Sequence, residues 1–283
     1  PQSYRTRNSF LMQEFSLSPS ALFLSLWSNR HLVFTFVRRE IAGRYRGSFL
    51  GILWSFFNPV FMLSVYTFVF SVVFNARWGV GTGSKAEFAL VLFAGLIVFN
   101  LFAECVTRAP NLILQNPTYV KKVVFPLEVL PWVIFFAALF HAGVSLLVWL
   151  LFCFFILGLP PVTGFLFPLL IFPLLFLSLG FSWLLASLGV YLRDVSQIIG
   201  ILVTALLFLT PIFYPLSVIP QGYRWIVLLN PLTLIVDQAR DLLIFGRVPG
   251  WWGYALVTFG SLLISWAGFV WFQKTRKGFA DVI

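Results

Sequence analysis

Between Arg46 and Phe74 the chain carries no charged side chain, and apolar stretches of similar length recur at 88–107, 129–157, 165–190, 196–214 and 251–272. A helix rises about 1.5 Å per residue, so about 20 apolar residues cross a hydrocarbon layer about 30 Å thick. Counting 48–74, six stretches meet that length. Composition agrees: 60% of the 283 residues are hydrophobic and 10% charged, with a mean hydropathy of +0.96, against roughly a quarter charged in a soluble domain. A membrane barrel would show alternating segments of about ten residues instead. The expectation is an all-α integral membrane protein with six transmembrane helices in one domain over 1–283, since no polar stretch is long enough for a separate soluble unit. Residues 1–30 lack the charged start, short apolar core and small-residue cleavage pattern of a removable signal peptide, so none is expected.

The formal net charge is +10, which in a soluble protein would point to nucleic acid. Here the cations sit at the ends of the apolar stretches, so no nucleic-acid partner is expected and position decides their meaning. Six crossings place both termini on one side. That side then holds Arg5, Arg7, Arg30, Arg38, Arg39, Arg44, Arg46, Arg108, Lys121, Lys122, Arg193, Lys274, Arg276 and Lys277, and the other only Arg77, Lys85, Arg224, Arg240 and Arg247. An excess of fourteen to five makes the first side cytoplasmic.

Three segments outside the spans carry a pattern. Residues 30–46 read as an amphipathic helix along the inner membrane surface, with Val33, Phe34, Phe36, Val37, Ile41 and Tyr45 on one face and Thr35, Arg39 and Arg46 opposite. Arg30 and Arg44 interrupt the apolar face and would snorkel; a plain positive-inside anchor is the other reading. Residues 108–128 form a short cytoplasmic loop in which Pro110 suits a helix start, Asn116 and Pro117 end it, and Lys121 and Lys122 follow. Residues 215–250 contain two apolar stretches too short to cross, 224–229 and 232–245. In the second, Leu232, Ile235, Val236, Ala239, Leu242 and Leu243 form a stripe with Thr233, Asp237, Arg240 and Asp241 opposite. An outer re-entrant or surface hairpin fits best, with Asp237, Arg240 and Asp241 facing something wet.

No nucleophile, metal or phosphate constellation stands out. Gly79 to Ala86, GVGTGSKA, lacks the Gly before Lys and the Ser or Thr after it that a phosphate loop needs, and reads as an outer loop. Cys105 and Cys153 fall near opposite faces and are not expected to pair. Glu104 and Arg108 suit a local ion pair one turn apart. His141, near the middle of span three, is either a packing histidine or a proton relay. The 35 Phe, 11 Trp and 8 Tyr offer faces that stack on sugar rings, while Trp251, Trp252, Trp266 and Trp271 read as interfacial belts.

In several blocks the sequence resembles the membrane subunits of type-2 ABC exporters that move lipid-linked polysaccharides such as O-antigen, capsule and teichoic acid. The blocks are YRGSFLGILWSFFNPV at 45–60, NPTYVKKVVFPLEVLP at 116–131, YLRDVSQIIG at 191–200, LTPIFYPLSVIP at 209–220, LNPLTLIVDQARDLL at 229–243 and FADVI at 279–283. The resemblance implies a homodimer of six-helix subunits around a conduit in the bacterial inner membrane, both termini cytoplasmic, with two separate ATPase subunits below. No cofactor is then expected in this chain, ATP and Mg being held by the ATPase. It also implies that the 30–46 helix, with Arg38 and Arg39, and the loop residues Asn116, Pro117, Thr118, Lys121 and Lys122 dock the ATPases. The 221–247 hairpin, with Asp237, Arg240 and Asp241, becomes an outer gate. Polytopic membrane enzymes acting on isoprenoid-linked sugars are the alternative class, for which Asp237 and Asp241 are the one candidate cluster.

Overall fold

A computed structural model describes residues 17–73, 85–121 and 125–283, with side chains at 71–73 and 85–86 excepted. Arg5 and Arg7, residues 79–84 of the glycine-rich stretch and Lys122 therefore lie outside the described residues. Among those described every regular element is helical: α1 Pro19–Ser28, α2 Arg30–Tyr45, α3 Trp54–Tyr66, α4 Lys85–Arg108, α5 Pro117–Lys121, α6 Leu130–Ile156, α7 Phe167–Tyr191, α8 Val195–Leu209, α9 Arg224–Leu228, α10 Pro231–Arg240, α11 Trp251–Thr275 and α12 Phe279–Val282.

Among the described residues five helical segments are long and apolar enough to cross a membrane: Gly51–Phe70, Glu87–Asn111, Leu127–Ile156, Val162–Tyr191 and Trp251–Val282. They coincide with five of the six stretches legible in the sequence. The sixth, 196–214, is not one long helix: α8 has 15 residues, about 22 Å at 1.5 Å per residue. Pro211 explains the stop, because a residue before proline is driven out of the helical region, and Thr210 is extended (φ −79°, ψ 134°). The chain beyond folds onto the end of span one, where Phe213 stacks on Phe70 with centroids 5.3 Å apart.

Span two is the axis of the protomer. Nearly all of α4 from Phe88 to Phe102 is buried, whereas α3 exposes Phe56, Phe57 and Phe61, and α8 exposes Ile198, Ile201, Leu202 and Phe208. α7 and α11 touch backbone to backbone. A Cβ on Gly268 would collide with the Gly180 carbonyl, and one on Gly180 would lie 2.6 Å from the Ile264 oxygen. Small residues permit that approach where no hydrophobic force drives helices together in lipid. Trp183 then seats edge-on against Phe269 (5.2 Å).

The helix expected over 30–46 is α2, closed by Gly47 in the left-handed region (φ 84°). Ahead of it stands a helix the sequence reading did not separate. The Ser18 side chain caps α1 by accepting from Ser20 N, and Pro19 opens it. Its Phe23 packs on Phe176 of α7 (5.8 Å), and Trp266 of α11 donates to the Leu17 carbonyl (3.2 Å).

Candidate functional site

At the end of the bundle where α4, α7 and α11 finish, α2 and α5 meet through an aromatic stack. Arg39 lies over the Phe36 ring (4.8 Å) and its Nη1 donates to the Tyr119 hydroxyl (3.1 Å). Tyr119 stacks on Phe36 (5.6 Å) and on Phe125 (4.4 Å). Arg39 and the 116–121 segment, 77 or more positions apart in sequence, are thus one surface. Arg38, Pro117, Thr118 and Lys121 are exposed beside it, while Asn116 turns inward and donates to the Leu112 carbonyl (2.9 Å). Behind the surface, Arg276 holds Glu128 (2.5 Å) and the Phe125 carbonyl (2.7 Å), and Trp183 donates to the Glu128 carbonyl (3.1 Å). The loop is therefore fastened to α2, α7 and α11.

The second candidate group is the α9–α10 pair. Asn230 caps α10 by accepting from Leu232 N and ties it to α8 through Thr210 (2.8 Å). The apolar stripe is where the sequence puts it, with Leu232, Ile235, Val236, Ala239, Leu242 and Leu243 all buried. The polar face requires a correction. Arg240 faces nothing wet: it is 1% exposed and donates to the carbonyls of Val91 (3.2 Å), Pro211 (2.5 Å) and Ile212 (2.6 Å). The physical reason lies on two other elements. Gly95 of α4 leaves the space, since a Cβ there would sit 3.0 Å from the guanidinium, and Pro211 ends α8 and strands carbonyls that five fixed donors can reach. Burial pulls the Arg240 pKa down to about 10, with Asp237 opposing, so it stays charged at neutral pH. Asp237 and Asp241 are only partly covered; burial raises the pKa of both carboxyls, and the Asp237 charge raises Asp241 further. Arg247 Nη1 stands 3.9 Å from Asp241.

The third group was visible in the sequence only as the Glu104 and Arg108 pair. That pair exists (3.4 Å), but Glu104 is also salt-bridged to Arg44 of α2 and lies 3.2 Å from His141 Nδ1, while Arg108 reaches Glu40. These side chains, Glu40 excepted, line a cavity of about 600 Å³ between α3, α4 and α6, walled also by Tyr45, Trp54, Asn58, Tyr66 and Asn100. Spacing hinted at it: Glu40 with Arg44, and Glu104 with Arg108, each lie four apart and share a helix face. Which helix faces which was not legible. Cys105 and Cys153 are both buried and unpaired.

A family model described as ABC-2 type transporter matches residues 31–244. The chain is similar to the O-antigen export system permease protein RfbA of Myxococcus xanthus, 31% identical over 265 residues that cover 91% of this chain and 97% of that one. It is similar also to the Klebsiella pneumoniae protein of the same description (25% over 254 residues, 89% and 95%). The polysialic acid transport protein KpsM of Escherichia coli is 26% identical over 216 residues (74% and 80%).

Proposed function

The chain belongs to the ABC-2 type transporter family, and we propose that it is the transmembrane subunit of an ATP-driven exporter that carries lipid-linked polysaccharide, O-antigen of lipopolysaccharide foremost, outward across the bacterial inner membrane. It is a multi-pass membrane protein. Two copies enclose a conduit, and two ATPase subunits supply ATP and Mg from the cytoplasmic side, where both termini lie. The enzyme alternative is not favoured, because the relatives are described as export and transport proteins.

The single observation that carries this reading is the α2–α5 surface. A transport subunit powered from outside needs a cytoplasmic element that a partner can grip and that is rigidly joined to the spans. Arg39, Tyr119 and Phe125 form such an element, and the Arg276–Glu128 pair fastens it to α11. The membrane placement follows from length and backbone accounting. α8 covers about 22 Å of a fifth crossing, and the turned backbone of residues 210–214 beyond it completes that crossing. Non-helical backbone at that depth is tolerated only where protein satisfies it, and Arg240 does so. With six crossings, α2 lies along the inner surface and the α9–α10 pair becomes an outer re-entrant hairpin at the exit, where Asp237 and Asp241 remain as the gate's polar groups.

The test is partner binding and coupled export. Changing Arg38 and Arg39 together to Gln should weaken association with the ATPase about tenfold, as loss of arginine contacts at an interface does, while leaving topology unchanged. Co-purification and quantitative binding check this, and unaltered affinity would reduce α2 to a membrane anchor. Replacing Asn116 to Thr118 by Gly-Ser residues should leave insertion and ATPase binding in place and abolish export per ATP hydrolysed, since α5 loses its helix start. Unchanged export in proteoliposomes would make the loop a mere connector.

A further inference from the structure

Two helix faces, far apart in sequence, are charge-matched in antiparallel order. α2 presents Glu40 and Arg44 one turn apart; α4 presents Glu104 and Arg108 one turn apart. Glu40 pairs with Arg108 and Arg44 pairs with Glu104, and Arg108 lies 3.4 Å from Glu104, so charge alternates along a chain of three ion pairs. Through the Arg44–Glu104 pair this network joins the helix that carries Arg39, and hence the α2–α5 surface, to span two one turn ahead of the 108–128 loop. Span three enters through one atom. His141 Nδ1 lies 2.9 Å from Arg44 Nη1 and 3.2 Å from Glu104 Oε2. A guanidinium only donates and an ionised carboxylate only accepts, so Nδ1 cannot satisfy both. With Arg44 in place Nδ1 accepts, and the ring proton belongs on Nε2, which is buried and has no partner among the described residues.

We propose that Glu104 is a positioning residue for transport, held by Arg44 when α2 is seated and handed to His141 when α2 withdraws, so that movement of the docking helix is felt directly in spans two and three. On release of Arg44 the imidazole, freed to turn, gives the Nε2 proton to water in the cavity as Nδ1 takes one from it, and the Nδ1–H then donates to the Glu104 carboxylate. Net charge is unchanged, and only the bond between helices is exchanged. Two arrangements with different partners constitute a bistable element, which physical coupling between distant sites requires. Glu104, 16% exposed beside a cavity of about 600 Å³, is placed to be shared in this way.

The proposal rests on the export reading, and the experiment separates the two. The complete exporter, this chain with its ATPase, is reconstituted in proteoliposomes, and export and ATP hydrolysis are measured together. Glu104→Gln should leave ATPase co-purification unchanged and lower polysaccharide exported per ATP by about tenfold, within the range seen when a coupling network is broken. Arg44 is half exposed, so Arg44→Gln does not threaten the fold. It should show the same loss, while Arg44→Lys, which keeps the charge, should retain most coupling. The chain has two histidines, His31 and His141, so nitrogen NMR of histidine-labelled complex reads the tautomer. His141 should carry its proton on Nε2 in the nucleotide-free parent and on Nδ1 in Arg44→Gln. Normal export per ATP in both neutral variants, or the same tautomer in parent and Arg44→Gln, overturns the hand-over while the export reading stands. Absence of export by the parent complex overturns the export reading itself.

Discussion

Arg240→Met should destabilise the folded protein by about 3–5 kcal/mol, the range for removing one member of a buried charged network. The side chain is fully enclosed and makes three hydrogen bonds to carbonyls of two different segments, Val91 in α4 and Pro211 and Ile212 beyond α8. Methionine fills much of the volume and satisfies none of them. The Asp237 carboxylate would lose its neighbouring cation as well. Lysine keeps the charge but presents a single ammonium where a planar fork reaches three oxygens, so Arg240→Lys should fall between the parent and methionine. Thermal unfolding of the detergent-solubilised protein, followed by size-exclusion chromatography, measures the difference. Parent-like stability in Arg240→Met would mean that those carbonyls do not depend on the guanidinium, and the re-entrant placement of α10 would lose its main support.

Arg240 also shows where sequence reasoning ran out. The helical repeat of 232–243 correctly separates an apolar stripe from Asp237, Arg240 and Asp241, because side chains on one helix are related by geometry alone. It says nothing of what other elements cover the far side. Gly95 and Pro211 lie 145 and 29 positions away from Arg240, and neither carries a signal that it would make room for, or strand carbonyls toward, an arginine. The spans were legible because a membrane imposes a length that hydropathy reports directly, and α8 departed from expectation where a proline intervened. The 30–46 and 108–128 segments were legible as patterned pieces outside the spans, yet their junction through Arg39 and Tyr119 was not. The same holds for the chain of ion pairs on α2 and α4, of which only Glu104 with Arg108 was visible. α1 escaped notice for a different reason. Ten uncharged residues are too few to span and carry no periodic charge, so the segment passed as part of a cytoplasmic start until Phe23 and Leu17 were found against α7 and α11.

Gly268→Leu should prevent α7 and α11 from assembling and yield little folded protein. Overpacking costs about 1–3 kcal/mol where side chains can shift, and more where they cannot. Here the obstacle is the backbone carbonyl of Gly180, which has no rotamer to move, and the Gly180 side of the crossing is equally tight, 2.6 Å from the Ile264 oxygen. Gly268→Ala should be the partial case, folding with reduced stability and a widened crossing. The consequence reaches the α2–α5 surface, because α11 carries Arg276 at its end and Arg276 holds Glu128 and Phe125 behind α5. Displacing α11 therefore loosens the α2–α5 surface as well as the bundle, and Gly268→Ala should export less per ATP hydrolysed than its residual stability alone would suggest. Gly260 supplies the control on the same helix, since a Cβ there meets nothing within 4 Å. Gly260→Leu should fold and export as the parent does, and if it failed as badly as Gly268→Leu, helix composition and not the close crossing would be the cause.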